Sequence, residues 1–254
     1  MSNLVSDMSN LVNGMSDLVN GMSDLSKMKI ILADTSSQVE SVALMQGRQL
    51  LGEKQILRTK GHAPGLLLDI EQLLSENQMK IQEIDAFVCG VGPGSFTGIR
   101  VGMTSLKTLA YALKKPIYAV STILGLLRNM PFSRTLGILD ARRGEVFVQG
   151  FGIETPICTT IEALIPKIHT ETQVLLGDGA LKYEEILLAH HPHLLIPKNP
   201  ILHLPRASML YEDMGQAVDP KTLEPIYLRA SDAEINYPNG YPSEARLFDL
   251  LKGN

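Results

Sequence analysis

The spacing of apolar residues predicts a chain in which strands and helices alternate. Short apolar runs bounded by turn residues are typical of strands, and longer runs with helical periodicity are typical of helices. A hairpin opens the order, because only the polar turn at 34–38 separates the first and second runs, and the turn at Gly47 leads into the third. The elements predicted for the first half are strands over 30–33, 39–45 and 50–57, a helix over 62–76, a strand over 84–91, a helix over 97–113, a strand over 116–120 and a helix over 122–129.

The second half begins with the same pattern as the first. Residues 135–140 match residues 29–34, because both runs are apolar, end in Asp and precede a polar turn and a further strand. We therefore predict an α/β fold with two similar lobes, 28–131 and 132–254, each opening with an antiparallel hairpin. Such a pair of lobes is typical of the actin-like ATPase (ribonuclease H-like) fold. The remaining predicted elements are strands over 145–149 and 173–176 and helices over 161–168, 180–189 and 206–217.

A seven-residue repeat occupies residues 1–27. MSNLVSD, MSNLVNG, MSDLVNG and MSDLSK follow one another, with Met, Leu and Val at the first, fourth and fifth positions of the complete units. This spacing draws one apolar face on a helix, but the Ser, Asn, Asp and Gly between disfavour helix interiors. We expect a disordered extension ahead of the fold, with a small oligomerising or anchoring helix as the alternative.

The charge, the cysteine content and the hydropathy of the chain disfavour several classes of protein. A net charge of −4 argues against tight independent binding of nucleic acid, because such proteins usually carry a strongly basic face. Cys89 and Cys158 are far apart and form no Cys-x-x-Cys pair, which fits a reducing cytosol. The sequence has no apolar run of about 18 residues, so we expect a cytoplasmic protein without a membrane span.

An aspartate ends the opening strand of each lobe, and carboxylates at these positions manage metal and phosphate in actin-like ATPases. That chemistry needs glycine just after the aspartate, so that the backbone can approach the phosphates. Here no glycine follows the first aspartate, and the second hairpin has one only at Gly144. Autonomous nucleotide hydrolysis is therefore the alternative function. The residues of a degenerate nucleotide site would be Asp34, Thr35, Ser36, Asp140, Arg142 and Arg143. The two arginines could instead meet RNA or a partner's acidic groups, or simply lie in a solvated turn.

The stretch CGVGPGSFTGIRVG, residues 89–102, joins a strand to a helix but matches no catalytic motif. It lacks the Gly-Lys-Ser/Thr of a phosphate-binding loop, and Pro93 and Thr97 stand where a nucleophile at Ser95 would need glycines. Ser95 is therefore predicted to cap the helix. No Ser/His/Asp set can be assembled by spacing, which disfavours a peptidase, and the histidines at 190–193 lack further ligands at metal-binding spacing.

Two helices of the first half carry more contact surface than one sheet requires. The helix over 97–113 has a large apolar face for the sheet and a second face of small residues, which lets another helix approach closely. The sequence leaves open whether that second helix comes from the same chain or from a partner. The leucine-rich helix that begins near His62 favours a partner, because its leucines cover more than one face.

Together these stretches resemble the TsaB (YeaZ) family, which takes part in making threonylcarbamoyladenosine in bacterial tRNA. The similarity runs in order over nearly all of 28–230, and the repeat at 1–27 has no counterpart in the family. The residues that carry it are Ile31 to Ser36, His62, Gly92 to Arg100, Val120 and Ser121, Asp140 to Val146, Gly177 to Gly179 and Pro225 to Arg229.

The resemblance implies a non-catalytic subunit with a decayed ATPase site and no catalytic or metal-binding residue of its own. It implies a heterodimer with a TsaD-like paralogue, which would hold the metal and transfer the threonylcarbamoyl group. A TsaE-like ATPase would join the pair, and tRNA would be reached through the complex. ATP or ADP at the subunit boundary and a homodimer without the partner stay open. The expected interface residues are His62, Leu66, Leu67, Ile70, Leu74, Gly98, Val101, Gly102 and Ser105.

Overall fold

The computed structural model describes residues 27–58 and 65–229, so most of the predicted repeat and His62 lie outside the described residues. Two β-sheets form the framework, and helices pack against each of them. The strands are β1 (Lys29–Asp34), β2 (Val39–Gln46), β3 (Gln49–Leu57), β4 (Ala86–Gly90), β5 (Ile117–Val120), β6 (Thr135–Arg142), β7 (Glu145–Gly150), β8 (Ile153–Thr160), β9 (Val174–Leu176) and β10 (Ala217–Val218). The α-helices are α1 (Leu66–Glu76), α2 (Phe96–Leu113), α3 (Thr122–Leu127), α4 (Ile161–Leu164), α5 (Asp178–Lys182) and α6 (Glu184–His190).

Each sheet is built around the hairpin that the sequence predicts. The first sheet has the strand order β10-β5-β4-β1-β2-β3, and the second has the order β8-β7-β6-β9. In both sheets the opening strand pairs antiparallel with the strand that follows it and parallel with a later one, β4 or β9. This repeated topology confirms the two-lobed, actin-like α/β fold.

The two faces of the first sheet are covered by different parts of the chain. Helices α1 and α2 share one apolar cluster with inward residues such as Ile31 and Phe87. A 3₁₀ helix at Ala207–Asp213 packs on the opposite face, against Ile30 and Leu32. Both faces of β1 and β4 are therefore buried, as their continuous apolar runs predict. No helix in the described parts of the chain is long and apolar enough to cross a membrane.

Helix α2 begins and ends as its sequence predicts. Ser95 adopts an extended backbone, and its side-chain oxygen accepts a hydrogen bond of 3.3 Å from the backbone N–H of Gly98. The helix ends at Leu113, and the next residue, Lys114, has a left-handed backbone with a φ of 55°. The predicted role of Ser95 as the helix cap is confirmed.

Helix α3 joins the two lobes. At its start the hydroxyl of Thr122 donates a hydrogen bond of 2.6 Å to Asp34 of the first lobe. The hydroxyl of Ser121 donates one of 2.6 Å to the side-chain oxygen of Gln149 in the second lobe. Two neighbouring hydroxyls thus connect the opening hairpin of one lobe with that of the other.

The C-terminal segment returns to the first lobe. Strand β10 pairs with β5, and the backbone N–H of Ile226 donates a hydrogen bond of 2.8 Å to the carbonyl of Val91. The sequence places these residues in a second lobe that spans 132–254, whereas the structure places this segment against the first sheet. A two-residue strand carries no periodicity, so the sequence pattern could not assign it to a sheet.

The structure differs from the sequence prediction at two predicted helices of the second half and at one further strand. The helix predicted over 206–217 is the 3₁₀ helix Ala207–Asp213, followed by β10. The helix predicted over 180–189 is two short helices, because the chain leaves helical geometry at Tyr183. Strand β8 was not predicted, because Ile153–Thr160 mixes polar and apolar residues without strict alternation at the edge of the sheet.

Candidate functional site

The glycines of the 89–102 stretch allow the turn between β1 and β2 to pack closely against this stretch. The hydroxyl of Thr35 donates a hydrogen bond of 2.6 Å to the carbonyl of Gly98 and accepts one of 3.1 Å from the N–H of Gly102. A β-carbon at Gly98 would lie 2.0 Å from the Thr35 carbonyl oxygen, and one at Gly94 would lie 2.4 Å from that of Ser36. The β1–β2 turn therefore packs directly onto the start of α2.

This contact corrects the prediction that Gly98 and Gly102 contact a partner. Both glycines are buried, and the turn of the same chain covers them. The small face of α2 is thus occupied in part by a segment of this chain, although that segment is a turn and not a helix. The periodicity identified the small face, but it could not identify a covering residue that lies more than 60 positions away.

Asp34 is buried and fully engaged by its own chain. Its Oδ1 accepts hydrogen bonds from the backbone N–H of Ser36, at 2.9 Å, and from the Ser36 hydroxyl, at 2.5 Å. Its Oδ2 accepts the bond from Thr122, and a β-carbon at Gly90 would lie 2.0 Å from that oxygen. Asp34, Thr35 and Ser36 are at most 4% exposed.

These residues do not fit a bound nucleotide. A phosphate would need backbone N–H groups that face an open space, together with a carboxylate able to reach a metal through water. Here the turn is pressed against α2, and both oxygens of Asp34 already accept hydrogen bonds from the protein. The geometry accounts for Asp34 as the centre of a structural hydrogen-bond network that joins the first turn to α3.

The second predicted carboxylate, Asp140, lies in a different network. Lys182 contacts both of its oxygens at 2.9 Å, and its Oδ1 also accepts the backbone N–H of Arg142 at 3.1 Å. Among the described residues, Asp34 and Asp140 have no hydrogen-bond partner in common. Asp178 is the first residue of α5, and its carboxylate accepts the N–H of Asp140 at 2.9 Å. Burial raises the pKa of Asp178 above its ordinary value.

The predicted interface residues on α1 and α2 fall into two groups, one buried in the first lobe and one accessible on the outer surface of the helices. Leu66, Ile70 and Leu74 belong to the core of the first lobe, so they are not available to a partner. This corrects three of the predicted positions. Leu67 is 49% exposed, and its neighbour Leu68, which the prediction omitted, is 63% exposed.

On α2 the accessible predicted positions are Val101 and Ser105. Both line an open depression of about 450 Å³ along the outer side of the helix. Phe96 and Tyr227 stack at one end of α2 with their ring centres 4.8 Å apart, and Arg100 lies 3.9 Å above the Phe96 ring. The residues that line the depression are Phe96, Thr97, Arg100, Val101, Thr104 and Ser105.

Comparison with known proteins identifies the family. The family model for TsaD, described as tRNA N6-adenosine threonylcarbamoyltransferase, matches residues 56–214. The tRNA threonylcarbamoyladenosine biosynthesis protein TsaB of Bacillus subtilis is 30% identical over 231 residues, which cover 83% of this chain and 98% of that protein. The chain belongs to the TsaB (YeaZ) family.

Two further similarities agree with this assignment. The solved structure of YeaZ from Pseudomonas aeruginosa has a TM-score of 0.65 at 26% identity, covering 79% of this chain and 100% of that one. A tRNA N6-adenosine threonylcarbamoyltransferase from Brucella ovis is 30% identical over 128 residues, 48% of this chain and 36% of that protein. About half of this TsaB-family chain is therefore also similar in sequence to a part of the transferase.

Beside α1, this TsaB-family chain has a charged cluster that the sequence pattern did not reveal. Arg58 contacts the fully buried Glu40 at 3.0 Å and also pairs with Asp69. Burial raises the pKa of Glu40 to about 7, and Asp69 adds to this effect, whereas Arg58 opposes it. The three residues come from β2, from the end of β3 and from α1, so only the fold brings them together.

The described residues contain no group of three His, Cys, Asp or Glu side chains placed to hold a metal ion. Within the histidine cluster, His190 contacts the carbonyl of Ile186 at 2.9 Å and His191 contacts that of Ile165 at 3.0 Å. His190 therefore contacts an earlier residue of its own helix, and His191 connects the end of α6 with the segment that follows α4.

Proposed function

We propose that this chain is a cytoplasmic, non-catalytic subunit of the machinery that makes threonylcarbamoyladenosine in tRNA, and that it binds and activates a TsaD-like transferase. The observation that carries this proposal is the similarity to the TsaB of Bacillus subtilis, which covers 98% of that protein. The name of that relative supplies the pathway. The geometry of this chain supports the non-catalytic role.

The burial of Asp34 in the β1–β2 turn supports a non-catalytic role. In an autonomous nucleotide hydrolase, the carboxylate that ends β1 would face the phosphates and a metal ion. Asp34 is instead 1% exposed and holds Ser36 and Thr122. Autonomous hydrolysis would require the turn to separate from α2, with loss of the bonds from Thr35 to Gly98 and Gly102.

The outer surface of α1 and α2 supports binding of a related lobe. Leu67 and Leu68 project from α1, and Val101 and Ser105 line the depression on α2. The similarity to the transferases suggests a partner with corresponding helices, and pairing of corresponding surfaces resembles a two-fold interface between like subunits. We propose that the exposed leucines and the depression on α2 receive the transferase.

The remaining members of the assembly are part of the same proposal. A TsaE-like ATPase joins the pair, and tRNA is reached through the complex. ATP or ADP, where it binds, lies at the boundary between subunits, because the first turn of this chain is filled. Without its partner, the chain covers the same surface by forming a homodimer.

A pair of matched substitutions tests the surface. Leu68→Glu places a charge on the proposed interface, and Ile186→Glu places the same charge on an apolar side chain of the second lobe that is 41% exposed. We expect the first variant to lose the heterodimer, with at least tenfold weaker binding, because a buried unpaired carboxylate is costly. Size-exclusion chromatography with light scattering, using the full chain and the organism's transferase, measures this. Equal binding by both variants would contradict the proposed surface.

A Gly102 substitution would not serve this test. A β-carbon at Gly102 would lie 2.3 Å from the Thr35 hydroxyl, so any larger residue would disturb the packing inside the chain. Loss of binding in such a variant would report a damaged fold. Circular dichroism and thermal unfolding of each variant alone are the corresponding controls for Leu68→Glu.

A further inference from the structure

Residues 223–229 form a strap that contacts both lobes. Ile226 packs against the apolar core of the first lobe. Leu228 packs against an apolar cluster that includes strands of the second sheet. Arg229 donates a hydrogen bond of 2.6 Å to the carbonyl of Ala141 in β6. The strap therefore connects the first lobe with the opening hairpin of the second.

The strap belongs to no helix or strand, so single contacts hold it on the first lobe. The side chain of Lys107 in α2 donates a hydrogen bond of 2.9 Å to the carbonyl of Leu223, a residue that is itself buried in the first core. The backbone N–H of Ile226 donates one of 2.8 Å to the carbonyl of Val91. A segment held in this way opens at a lower free energy than the strands and helices beneath it.

Tyr227 lies between the two lobe contacts and is directed to the outer surface. Its ring stacks on Phe96 with the ring centres 4.8 Å apart, and its hydroxyl accepts a hydrogen bond of 2.7 Å from Nε of Arg100. Tyr227 is 41% exposed, and Phe96 and Arg100 line the depression on α2. The consecutive residues Ile226, Tyr227 and Leu228 therefore contact the first core, the proposed partner surface and the second lobe in turn.

We propose that the strap couples binding of the transferase at α2 to the packing of the two lobes. This inference rests on the proposed function, which seats the transferase in the depression on α2. The Tyr227 ring holds Phe96 and Arg100 in place only while the strap is docked, so a partner on these residues favours the docked strap. The docked strap also keeps Leu228 and Arg229 on the second lobe. Coupling is reciprocal, so a strap released from the second lobe weakens binding by the same factor.

Two leucines of one cluster separate this coupling from a purely structural role. Leu228, in the strap, and Leu202, outside it, are both partly buried and pack against the same apolar cluster. Leu228→Ala releases the second-lobe end of the strap, so the transferase must order the strap as it binds. We expect at least about fivefold weaker transferase binding. Leu202→Ala removes the same side chain from the cluster, and we expect lower stability with unchanged binding.

Hydrogen–deuterium exchange measures the same coupling in the opposite direction. We expect the backbone amides of β6 and β7 to exchange several-fold more slowly in the heterodimer than in the free chain, although the proposed surface lies on α1 and α2. With saturating transferase, Leu228→Ala should lose this slowing and Leu202→Ala should keep it. Leu228→Met fills nearly the same volume, so it should retain both the affinity and the slower exchange.

Isothermal titration calorimetry with the full chain and the organism's transferase measures the affinity, and thermal unfolding of each variant alone shows that it is folded. Equal transferase binding by Leu228→Ala and Leu202→Ala would overturn the inference alone, because a strap without coupling affects only stability. Exchange of β6 and β7 that does not change on binding would also overturn it. If the unsubstituted chain forms no heterodimer, the proposed function and the inference both fail.

Discussion

At the scale of single residues, the most informative positions are glycines that lie so close to another segment of the chain that a β-carbon would not fit. Gly98 faces the carbonyl of Thr35, Gly94 faces that of Ser36, and Gly90 faces the carboxylate of Asp34. A glycine-rich stretch after a strand usually indicates a phosphate site. Here the same residue type admits a segment of the protein into the place where a phosphate would approach.

Gly98→Ala tests this explanation. Its β-carbon would lie 2.0 Å from a backbone oxygen that cannot move without displacing the β1–β2 turn. We expect the free energy of unfolding to fall by about 2–4 kcal/mol in a urea titration. Gly215→Ala is the matched control, because a β-carbon there meets nothing within 4 Å. If the two variants were equally stable, the β1–β2 turn would not pack against Gly98 as closely as described, and this explanation would be contradicted.

Glu40 provides a pH-dependent test at the same scale. Its pKa is raised from 4.5 to about 7, so the folded state binds its proton more tightly than the unfolded state does. Glu40 therefore favours folding more at pH 5 than at pH 8, and its charge is destabilising above pH 7. In Glu40→Gln this dependence disappears, and we expect the difference in unfolding free energy between pH 5 and pH 8 to change by roughly 2–3 kcal/mol.

Urea titrations at both pH values measure the effect. Glu212→Gln is the control, because Glu212 is exposed and pairs with Arg48 at the surface. The account of the Glu40, Arg58 and Asp69 cluster fails if Glu40→Gln and the unsubstituted protein respond to pH in the same way.

At the scale of elements, α3 is short but has more than one structural role. Its first turn connects the opening hairpins of the two lobes through Ser121 and Thr122. Its glycine, Gly125, admits Leu210 of the 3₁₀ helix at a distance that no larger side chain allows. The sequence predicted this helix, with bounds correct to within two residues. It did not predict the connecting role, because the residues that Ser121 and Thr122 contact lie at least 28 positions away along the chain.

Thr122→Val tests the connection. Valine has nearly the shape of threonine but donates no hydrogen bond, so Asp34 Oδ2 would lose its partner while remaining buried. We expect a loss of about 1–3 kcal/mol in unfolding free energy. The same change at Thr108, an exposed threonine on α2, should have little effect. A Thr122→Val protein as stable as the Thr108→Val protein would contradict the account of Asp34 as a buried structural carboxylate.

At the scale of the whole molecule, the sequence predicted the fold better than the surface. The two hairpins, the two lobes and the helix cap at Ser95 follow from local apolar patterns and turn chemistry, and the structure confirms them. Local patterns could not show which face of α1 is exposed, so three buried leucine and isoleucine positions were expected at the interface. They could not assign the C-terminal segment either, because its contacts with β5 and Val91 depend on the closed fold.

The central claim is that this chain activates a transferase without performing chemistry itself. Reconstitution of tRNA modification from purified components tests it most directly. The full chain, the organism's TsaD-like transferase and its TsaE-like ATPase are assayed singly, in pairs and together, on unmodified tRNA with the threonylcarbamoyl donor. We predict modification only when all three are present, and full activity when Asp34→Asn replaces the unsubstituted chain in amounts matched for folded protein. Modification without this chain, or nucleotide hydrolysis by this chain alone that Asp34→Asn abolishes, would contradict the account.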